Sequence, residues 1–378
     1  MFKRILEFCK KEIVLMIALL LAAVSAIFVH PDKEYLGYID MRTLAILFCL
    51  MAVMAGLQKI GFFDFIAEAL LQKVKQMKGL ILLLVMLCFF SSMLITNDVA
   101  LITFVPFTFI VLKLVLREKA EKLLVPIIVL QTVAANLGSM LTPIGNPQNL
   151  YLYGLSGLGL WEFLKIVLPY ASISFVLLAG ICTFYPYTGE KEIACKLEQK
   201  TSLGNYKKEL IIYAILFLIS VLSVAHIIPY GYAFMVVALA ITILDKKVLL
   251  AVDYNLLLTF VGFFIFIGNM GRVPAFYLWL QKIIEGNEVA VSVAASQFMS
   301  NVPAALLLSG FTNRFDLLII GTNLGGLGTM IASMASLISF KYVGRDYAHL
   351  RGRYFGYFTV VNILFLAVLL AYRMMFAG

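Results

Sequence analysis

Residues 136–149 read NLGSMLTPIGNPQN and interrupt an apolar segment that extends from residue 123 to residue 153. Two prolines, one glycine and four polar side chains fall within 141–149, and proline cannot continue a regular helix. Because unpaired backbone groups are costly in hydrocarbon, such a break is tolerated only where it lines a protected cavity. The stretch therefore predicts a broken transmembrane helix at an internal site, although a kinked, glycine-packed helix would also fit the pattern.

Composition extends this prediction to the whole chain. The 378 residues are 62% hydrophobic and 13% charged, and a soluble domain of that size cannot bury so much apolar surface. This balance excludes disordered, disulfide-scaffold and soluble nucleic-acid-binding classes. The five cysteines form no CxxC pair and no cluster with histidine, so a metal or redox site is not favoured. The remaining fold class is an all-α polytopic membrane protein in a lipid bilayer.

Nine apolar runs are long enough to span a bilayer, and two further runs carry a polar tip in the middle. These two, 80–112 and 289–312, predict re-entrant hairpins that enter and leave the membrane on one side. Among the nine spans, 123–153 and 316–340 are interrupted by glycine, proline and polar residues, and they predict broken helices. The nine runs are residues 13–29, 41–57, 123–153, 163–184, 208–228, 231–244, 254–270, 316–340 and 355–376.

Positive charge orients these segments. Of the 30 Lys and Arg residues, 23 fall in segments on the side of the N-terminus, and such segments are cytoplasmic in membrane proteins. Nine spans then place the C-terminus outside. The run 13–29 has no evident small-residue cleavage site, so we interpret it as a first transmembrane helix rather than a signal peptide. The basic segments are 1–12, 59–79, 113–122, 185–209, 245–253 and 341–353.

An internal repeat divides the chain into a first repeat over 1–187, a cytoplasmic linker and connecting helix over 188–230, and a second repeat over 231–378. Because the first half makes an even number of crossings and the connecting helix adds one, the second repeat is expected to be inverted. Inverted repeats with broken helices are typical of secondary transporters, whose sites lie near the midplane. The corresponding positions are Asp40 with Asp253, Lys59 with Arg272, Thr96-Asn97-Asp98 with Ser300-Asn301-Val302, Asn136-Leu137-Gly138 with Asn323-Leu324-Gly325, Thr142 with Thr329, and Gly145-Asn146 with Ala332-Ser333.

Broken helices expose two kinds of ligand. Carbonyl groups suit a hard cation such as sodium, and N–H groups at half-helix N-termini attract an anion. Asp98 is the one carboxylate deep in an apolar hairpin, which favours a coupling role by sodium ligation or protonation; the alternative is an N-cap. Asn136 and Asn323 either line the site or hydrogen-bond the freed backbone, and both interpretations remain open. Asp40 and Asp253 are expected to cap helices.

The candidate residues form two overlapping groups, and we expect no cofactor, no Lys or Arg at the site, and no metal site beyond one for sodium. The candidates for binding the coupling ion, sodium or a proton, are Thr96, Asn97, Asp98, Asn136, Gly138, Thr142, Gly145, Ser300, Asn301, Asn323 and Gly325. The candidates for binding the substrate are Asn97, Pro143, Asn146, Asn149, Asn301, Thr329 and Ser333.

Residues 92–101 and 136–149 resemble the ion-transporter superfamily, which includes divalent-anion/sodium symporters, citrate transporters, arsenite permeases and D-type sodium/proton antiporters. The resemblance covers about Asp40 to Leu370. It implies an inverted-repeat fold with two re-entrant hairpins, a homodimer, elevator-like alternating access, and a bacterial or archaeal cell (inner) membrane. In the dicarboxylate symporters of this group both tips read Ser-Asn-Thr, and these tips ligate sodium and touch substrate carboxylates.

The two tips of this chain depart from that pattern. Thr96-Asn97-Asp98 adds a negative charge, and Ser300-Asn301-Val302 lacks a hydroxyl, so the first tip is more similar to the arsenite-permease and antiporter branch. The sequence has no GxxxxGK[ST], HExxH or GxSxG motif, which disfavours ATP binding through a P-loop and common enzyme chemistry. We predict an ion-coupled secondary transporter of a small anion, a carboxylate or oxyanion. The alternatives are a sodium/proton antiporter without an organic substrate, and a channel.

Overall fold

The computed structural model describes residues 12–116, 120–184 and 203–376, and every regular element in these ranges is helical. Residues 188–202 of the predicted linker lie outside the described residues. The helices of these ranges, short 3-10 turns aside, are α1 (Ile13–Phe28), α2 (Tyr35–Tyr38), α3 (Met41–Lys59), α4 (Phe62–Leu71), α5 (Met77–Ile95), α6 (Asn97–Leu116), α7 (Ala120–Ser139), α8 (Pro147–Ser156), α9 (Leu160–Phe184), α10 (Lys207–Val224), α11 (Tyr230–Asp245), α12 (Tyr254–Gly271), α13 (Pro274–Ile284), α14 (Glu288–Met299), α15 (Asn301–Ser309), α16 (Phe315–Gly325), α17 (Met334–Asp346) and α18 (Arg351–Phe376).

The polytopic membrane class is confirmed, because seven helices of the described residues are long and apolar enough to cross a membrane. Two of these seven are α5 and α6, the arms of the first predicted hairpin, which have 19 and 20 residues. The arms of the second hairpin, α14 and α15, have only 12 and 9 residues. The count of nine spans and the re-entrant character of the hairpins therefore stay predictions.

Helix α7 lies at the centre of the molecule. All of its residues are buried except Glu121 and Lys122, and it packs against α5, α6, α9, α17 and α18. Gly138 permits the close approach of α5, because a Cβ at this position would run into the backbone carbonyl of Phe89. The apolar sequence of α7 thus forms the core helix that leads to the first break.

Both predicted breaks are present. Helix α7 ends at Ser139 and α8 begins at Pro147, while α16 ends at Gly325 and α17 begins at Met334. Pro147 occupies the first turn of α8, where a missing N–H costs no helical hydrogen bond. A new half-helix therefore begins after each interruption of the apolar pattern, which is made by proline, glycine and asparagine in the first half and by glycine in the second.

The two hairpin tips share an unusual backbone conformation. Thr96 has φ 69° and ψ 152°, and Ser300 has φ 75° and ψ 154°. The following backbone N–H is tied to a break in each case: Asn97 donates to the Gly145 carbonyl at 3.2 Å, and Asn301 donates to the Ala332 carbonyl at 2.9 Å. Each tip is thus fixed to the break of its own half at corresponding positions.

The outer helices pair across the two halves. Helix α1 packs along α12, and α11 packs against α3. Asp40 and Asp253 cap α3 and α12, as predicted: their carboxylates accept from the N–H of Thr43 at 3.1 Å and of Leu256 at 3.0 Å. Helices α4 and α13, which follow α3 and α12 and lead into the hairpins, were not predicted.

Ion pairs fix the ends of this outer layer. Arg272 contacts Asp32 at 2.7 Å and Glu34 at 3.2 Å, and it holds the pKa of the Asp32 carboxyl below its usual range. At the other end, Lys59 pairs with Asp245 and lowers the pKa of that carboxyl. Lys59 and Arg272, which correspond in the two repeats, therefore both form ion pairs at helix ends.

Candidate functional site

A chain of buried amides joins the first tip to the second break. The Asn97 amide donates to Asn136 Oδ1 at 3.1 Å, and the Ser333 hydroxyl donates to the same oxygen at 2.9 Å. The Asn136 amide in turn donates to the Gly326 carbonyl at 3.4 Å. Asn136 therefore belongs to the polar cluster. Its amide also binds a backbone carbonyl at the break of the other half, which has no partner within a helix.

A second chain joins the first break to α16. Asn146 caps α8 by accepting from the Asn149 N–H at 2.9 Å, and its amide donates to Asn323 Oδ1 at 3.0 Å. The Asn323 amide donates to Asn149 Oδ1 at 2.6 Å and to the Ile319 carbonyl at 2.7 Å. Since Asn146, Asn149 and Asn323 are all buried, these bonds hold the two broken helices against each other.

Four of the candidates present no side chain to this cluster of asparagines. Gly138 and Gly325 are packing positions, since a Cβ would collide with the Phe89 carbonyl at the first and with Ser296 at the second. The Thr142 hydroxyl donates to the Met93 carbonyl. Thr329 is exposed and bonds Gln297, accepting nothing from the asparagine cluster. The contacts of these four residues therefore stabilise the structure around the breaks.

Five of the candidates line one cavity of about 280 Å³, here called the tip cavity. They are Asn97 and Asp98 of the first tip, Ser300 and Asn301 of the second tip, and Ser333 at the second break. A neighbouring, mostly apolar cavity of about 530 Å³, the lateral cavity, is lined by α3 and by Thr96, and it shares Asp98 with the tip cavity. Pro143 and Gly145 are buried in the break, and Gly145 presents its carbonyl to the first tip.

Asp98 has a side-chain oxygen without a partner. Its Oδ1 atom is buried and accepts no hydrogen bond from the described residues. The Asp98 N–H donates to Oδ1 of the neighbouring Asn97 at 3.0 Å, and Asp98 itself accepts no capping hydrogen bond in the described residues. A carboxylate that is neither paired nor capping is costly in a membrane protein, which makes Asp98 a candidate functional residue.

Four helix N-termini converge on the tip cavity. Helices α6, α8, α15 and α17 begin at Asn97, Pro147, Asn301 and Met334, and all four residues line it. Each helix N-terminus carries a partial positive charge and unpaired N–H groups. The arrangement concentrates positive potential on a small volume that also holds a carboxylate.

The expectation that no Lys or Arg lies at the site is wrong. Lys341 lines the tip cavity, and Lys59 and Lys247 line the lateral cavity. In the sequence these lysines fall in segments between the predicted spans. In the structure Lys341 lies on α17, the helix that begins after the second break. Cationic side chains therefore line the walls of both cavities.

Sequence reasoning missed two further residues of the site. Gln148 lies in the first turn of α8 and lines the tip cavity, and its buried Oε1 has no hydrogen-bond partner in the described ranges. Asp253 lines both cavities while it caps α12. The polar run after Pro147 pointed to Gln148, but only tertiary packing shows that Asp253 shares a cavity with Asp98.

The comparisons with known proteins place the chain in a family. The citrate transporter family matches residues 5–313. This chain belongs to the citrate transporter family. The recognition of the ion-transporter superfamily from the two motifs is thereby confirmed.

Relatives match along much of the chain. A protein of Methanocaldococcus jannaschii described as an uncharacterized transporter is 32% identical over 345 residues, covering 91% of this chain and 92% of its own length. The inner membrane protein YbiR of Escherichia coli is 28% identical and covers 85% and 86%. The silicon efflux transporter LSI3 of rice is 31% identical over 173 residues, covering 44% of this chain and 34% of its own length. Family and relatives identify a multi-pass membrane transporter.

Proposed function

We propose that this family member is an ion-coupled secondary transporter of a small anion, a carboxylate or oxyanion. The observation that carries the proposal is the convergence of four helix N-termini and Asp98 on the tip cavity. Helix N-termini bind anions through their N–H groups and dipoles. Lys341 adds positive charge on the same wall. The cavity is small, about 280 Å³, which fits a small anion better than a bulky one.

The coupling cation has its own ligands in this proposal. Asp98 Oδ1 and Gln148 Oε1 are buried oxygens without hydrogen-bond partners, and both residues line the tip cavity. Oxygen atoms of this kind suit a hard monovalent cation or, at Asp98, a proton. A cation bound beside the anion also offsets the repulsion between Asp98 and the substrate charge.

The proposed mechanism is alternating access by two inverted repeats. Its support is the matched geometry of the tips, where Thr96 and Ser300 share a conformation and the next N–H binds the break of its own half. Arms of 12 and 9 residues in the second hairpin rise about 18 and 14 Å, short of a bilayer core of about 30 Å. We therefore propose that the second hairpin is re-entrant, and the matched tips extend the proposal to the first hairpin, whose arms are longer. The resemblance to the ion-transporter superfamily supports an elevator-like movement and a homodimer in a cell inner membrane. The distribution of Lys and Arg supports a cytoplasmic N-terminus and an external C-terminus.

Ligand-dependent thermal unfolding of the purified protein tests the proposal. A panel of carboxylates and oxyanions is compared with and without sodium, at two pH values. A ligand present at 100 times its Kd stabilises the folded state by roughly 2.7 kcal/mol. We expect one class of anion to raise the unfolding midpoint, and to do so more strongly with sodium or at lower pH.

A sodium/proton antiporter is the second candidate, and it is favoured by the two carboxylates, Asp98 and Asp253, in one cavity. It predicts stabilisation by sodium alone, a loss of that effect as pH falls, and indifference to every anion. A saturable anion effect would exclude this candidate, and conductance without saturation would favour a channel.

A further inference from the structure

A second polar cavity, of about 240 Å³, lies at the base of the second hairpin, at the opposite end from its tip. The end of α13, the start of α14 and the loop between α15 and α16 form its wall. It shares no lining residue with the tip cavity or the lateral cavity. The oxygen-bearing side chains in the wall include Gln281, Glu285, Glu288, Ser309, Thr312 and Asn313.

Glu288 is the residue that makes this base cavity unusual. The side chain is only 4% exposed. Its Oε1 atom accepts from the Thr312 hydroxyl at 3.3 Å, while Oε2 is buried without a hydrogen-bond partner in the described part of the chain. Helix α14 begins at Glu288, and the helix N-terminus lowers the cost of this charge, but one oxygen still has no partner. A buried carboxylate in this state is strongly destabilising unless a cation pairs with it.

Arg314, the basic residue of the wall, interacts with Glu288 electrostatically but forms no hydrogen bond or salt bridge with it in the described residues. Arg314 directs Nε and Nη2 to the two carboxylate oxygens of Asp316, each at 3.2 Å. Glu285 places a second carboxylate in the wall, at the end of α13. The base cavity therefore holds two carboxylates among amide and hydroxyl oxygens, with its arginine bound to another acid.

We propose that the base cavity binds a divalent cation of the calcium type through Glu288 and Glu285. Calcium takes six to eight oxygen ligands in flexible geometry, and the wall offers carboxylates, amides and a hydroxyl in a polar volume. Two carboxylates balance the charge of one divalent cation. The bound cation joins the end of α13 to the start of α14, the first arm of the second hairpin.

The cation also acts on the broken helices through this hairpin. Ser309 in the cavity wall lies 2.9 Å from the hydroxyl of Tyr151 on α8. Fixing the base of the hairpin therefore supports its packing against α8, which carries Asn149 and Gln148. The site stabilises this half of the molecule and takes no part in binding the transported anion.

Equilibrium dialysis of the purified protein with radioactive calcium tests the proposal directly. We expect saturable binding of one calcium per chain, with a Kd on the order of 10⁻⁴–10⁻³ M, as in extracellular calcium modules. Glu285→Gln, at an exposed position, should weaken binding at least tenfold. Glu288→Gln should abolish it, with folding checked by size-exclusion chromatography. Glu34→Gln is the matched control, because Glu34 is an exposed acid paired with Arg272 outside the cavity.

The measurement is made in about 0.1 M choline chloride and again in about 0.1 M sodium chloride, which screen charges equally. Equal calcium binding in both salts supports a divalent site. Displacement by sodium alone would overturn the assignment, as would binding that survives in both the Glu285→Gln and the Glu288→Gln variants. Absence of saturable binding in the unmodified protein up to about ten times the expected Kd would also overturn it. Because no carboxylate or oxyanion substrate is present, failure here is distinct from failure of the proposed transport function.

Discussion

Asp98 is the residue on which ion coupling is expected to depend. Its Oδ1 atom is buried without a hydrogen-bond partner and faces the tip cavity. Asp98→Asn removes the charge at nearly constant volume, so we expect the variant to lose the sodium or pH dependence of transport. Radiolabelled anion uptake into proteoliposomes, measured under sodium and pH gradients, checks this result.

Asp40→Asn provides the matched control for that experiment. Asp40 caps α3 but lines neither the tip cavity nor the lateral cavity, and asparagine caps a helix about as well as aspartate. The control should keep its ion dependence. If Asp98→Asn kept the full response to both gradients, the coupling role of Asp98 would have to be abandoned.

Lys341 is expected to set the affinity for the anion. It lines the tip cavity on α17, and a lysine near a bound anion contributes a screened attraction. Lys341→Gln should raise KM roughly threefold to tenfold, equivalent to about 0.7–1.4 kcal/mol, with a smaller effect at high salt. Uptake kinetics at two ionic strengths measure both quantities.

Lys282→Gln is the comparison variant, since Lys282 lies on α13 in the last turn and lines neither the tip cavity nor the lateral cavity. Its KM should remain close to that of the unmodified protein. An equal rise in both variants would indicate a general surface-charge effect rather than a role for Lys341 at the site.

At the scale of elements, the packing of α7 on α5 depends on one glycine. A Cβ at Gly138 would collide with the Phe89 carbonyl, and overpacking of a buried contact costs about 1–3 kcal/mol. We therefore expect Gly138→Ala to lower the thermal unfolding midpoint and to weaken ligand binding, since α7 positions Asn136. Differential scanning fluorimetry in detergent measures the midpoint.

Gly180→Ala is the matched control on α9, because a Cβ there meets nothing within 4 Å. Replacing an unhindered helical glycine by alanine stabilises a helix by up to about 1 kcal/mol. The two substitutions should therefore shift the midpoint in opposite directions. A fall of equal size in both would show that the α5–α7 contact has room for a methyl group.

Elements were predicted well wherever the sequence pattern was local. Proline, glycine and asparagine located the break before Pro147, and the Thr96 and Ser300 tips aligned because both turns need the same short polar motif. Helices α4 and α13 escaped prediction because they are short and amphipathic, with 10 and 11 residues. The partners of Asn136 and Asn323 depend on how two distant halves pack, which no local pattern contains.

In the whole molecule, helices of each half pack against helices of the other half. Helix α1 of the first half packs on α12 of the second, and α11 packs on α3. The asparagine chains cross between the halves as well, through Asn136 with Gly326 and Asn146 with Asn323. Two halves joined in this way present both tips to one cavity, which is the arrangement that alternating access from two sides requires.

Inverted topology predicts opposite accessibility for two positions that correspond to different membrane faces. Asn255 lines the tip cavity near the start of α12, and Asn313 is exposed at the base of the second hairpin. In a variant without native cysteines, we expect Asn255→Cys to react with an impermeant maleimide only from the cytoplasmic side. Asn313→Cys should react only from outside. The two variants are compared in inside-out vesicles, which expose the cytoplasmic face, and in right-side-out vesicles, which expose the outer face.

The same variants test movement, because a transported anion stabilises the conformations that bind it. Addition of anion and coupling ion should change the labelling rate of Asn255→Cys by altering how often the tip cavity opens to the cytoplasm. Asn313→Cys, which lies outside that cavity, should keep its rate. Labelling of both positions from one side would contradict the inverted topology. Labelling from opposite sides without any effect of the ligand would preserve the topology but argue against alternating access at the tip cavity.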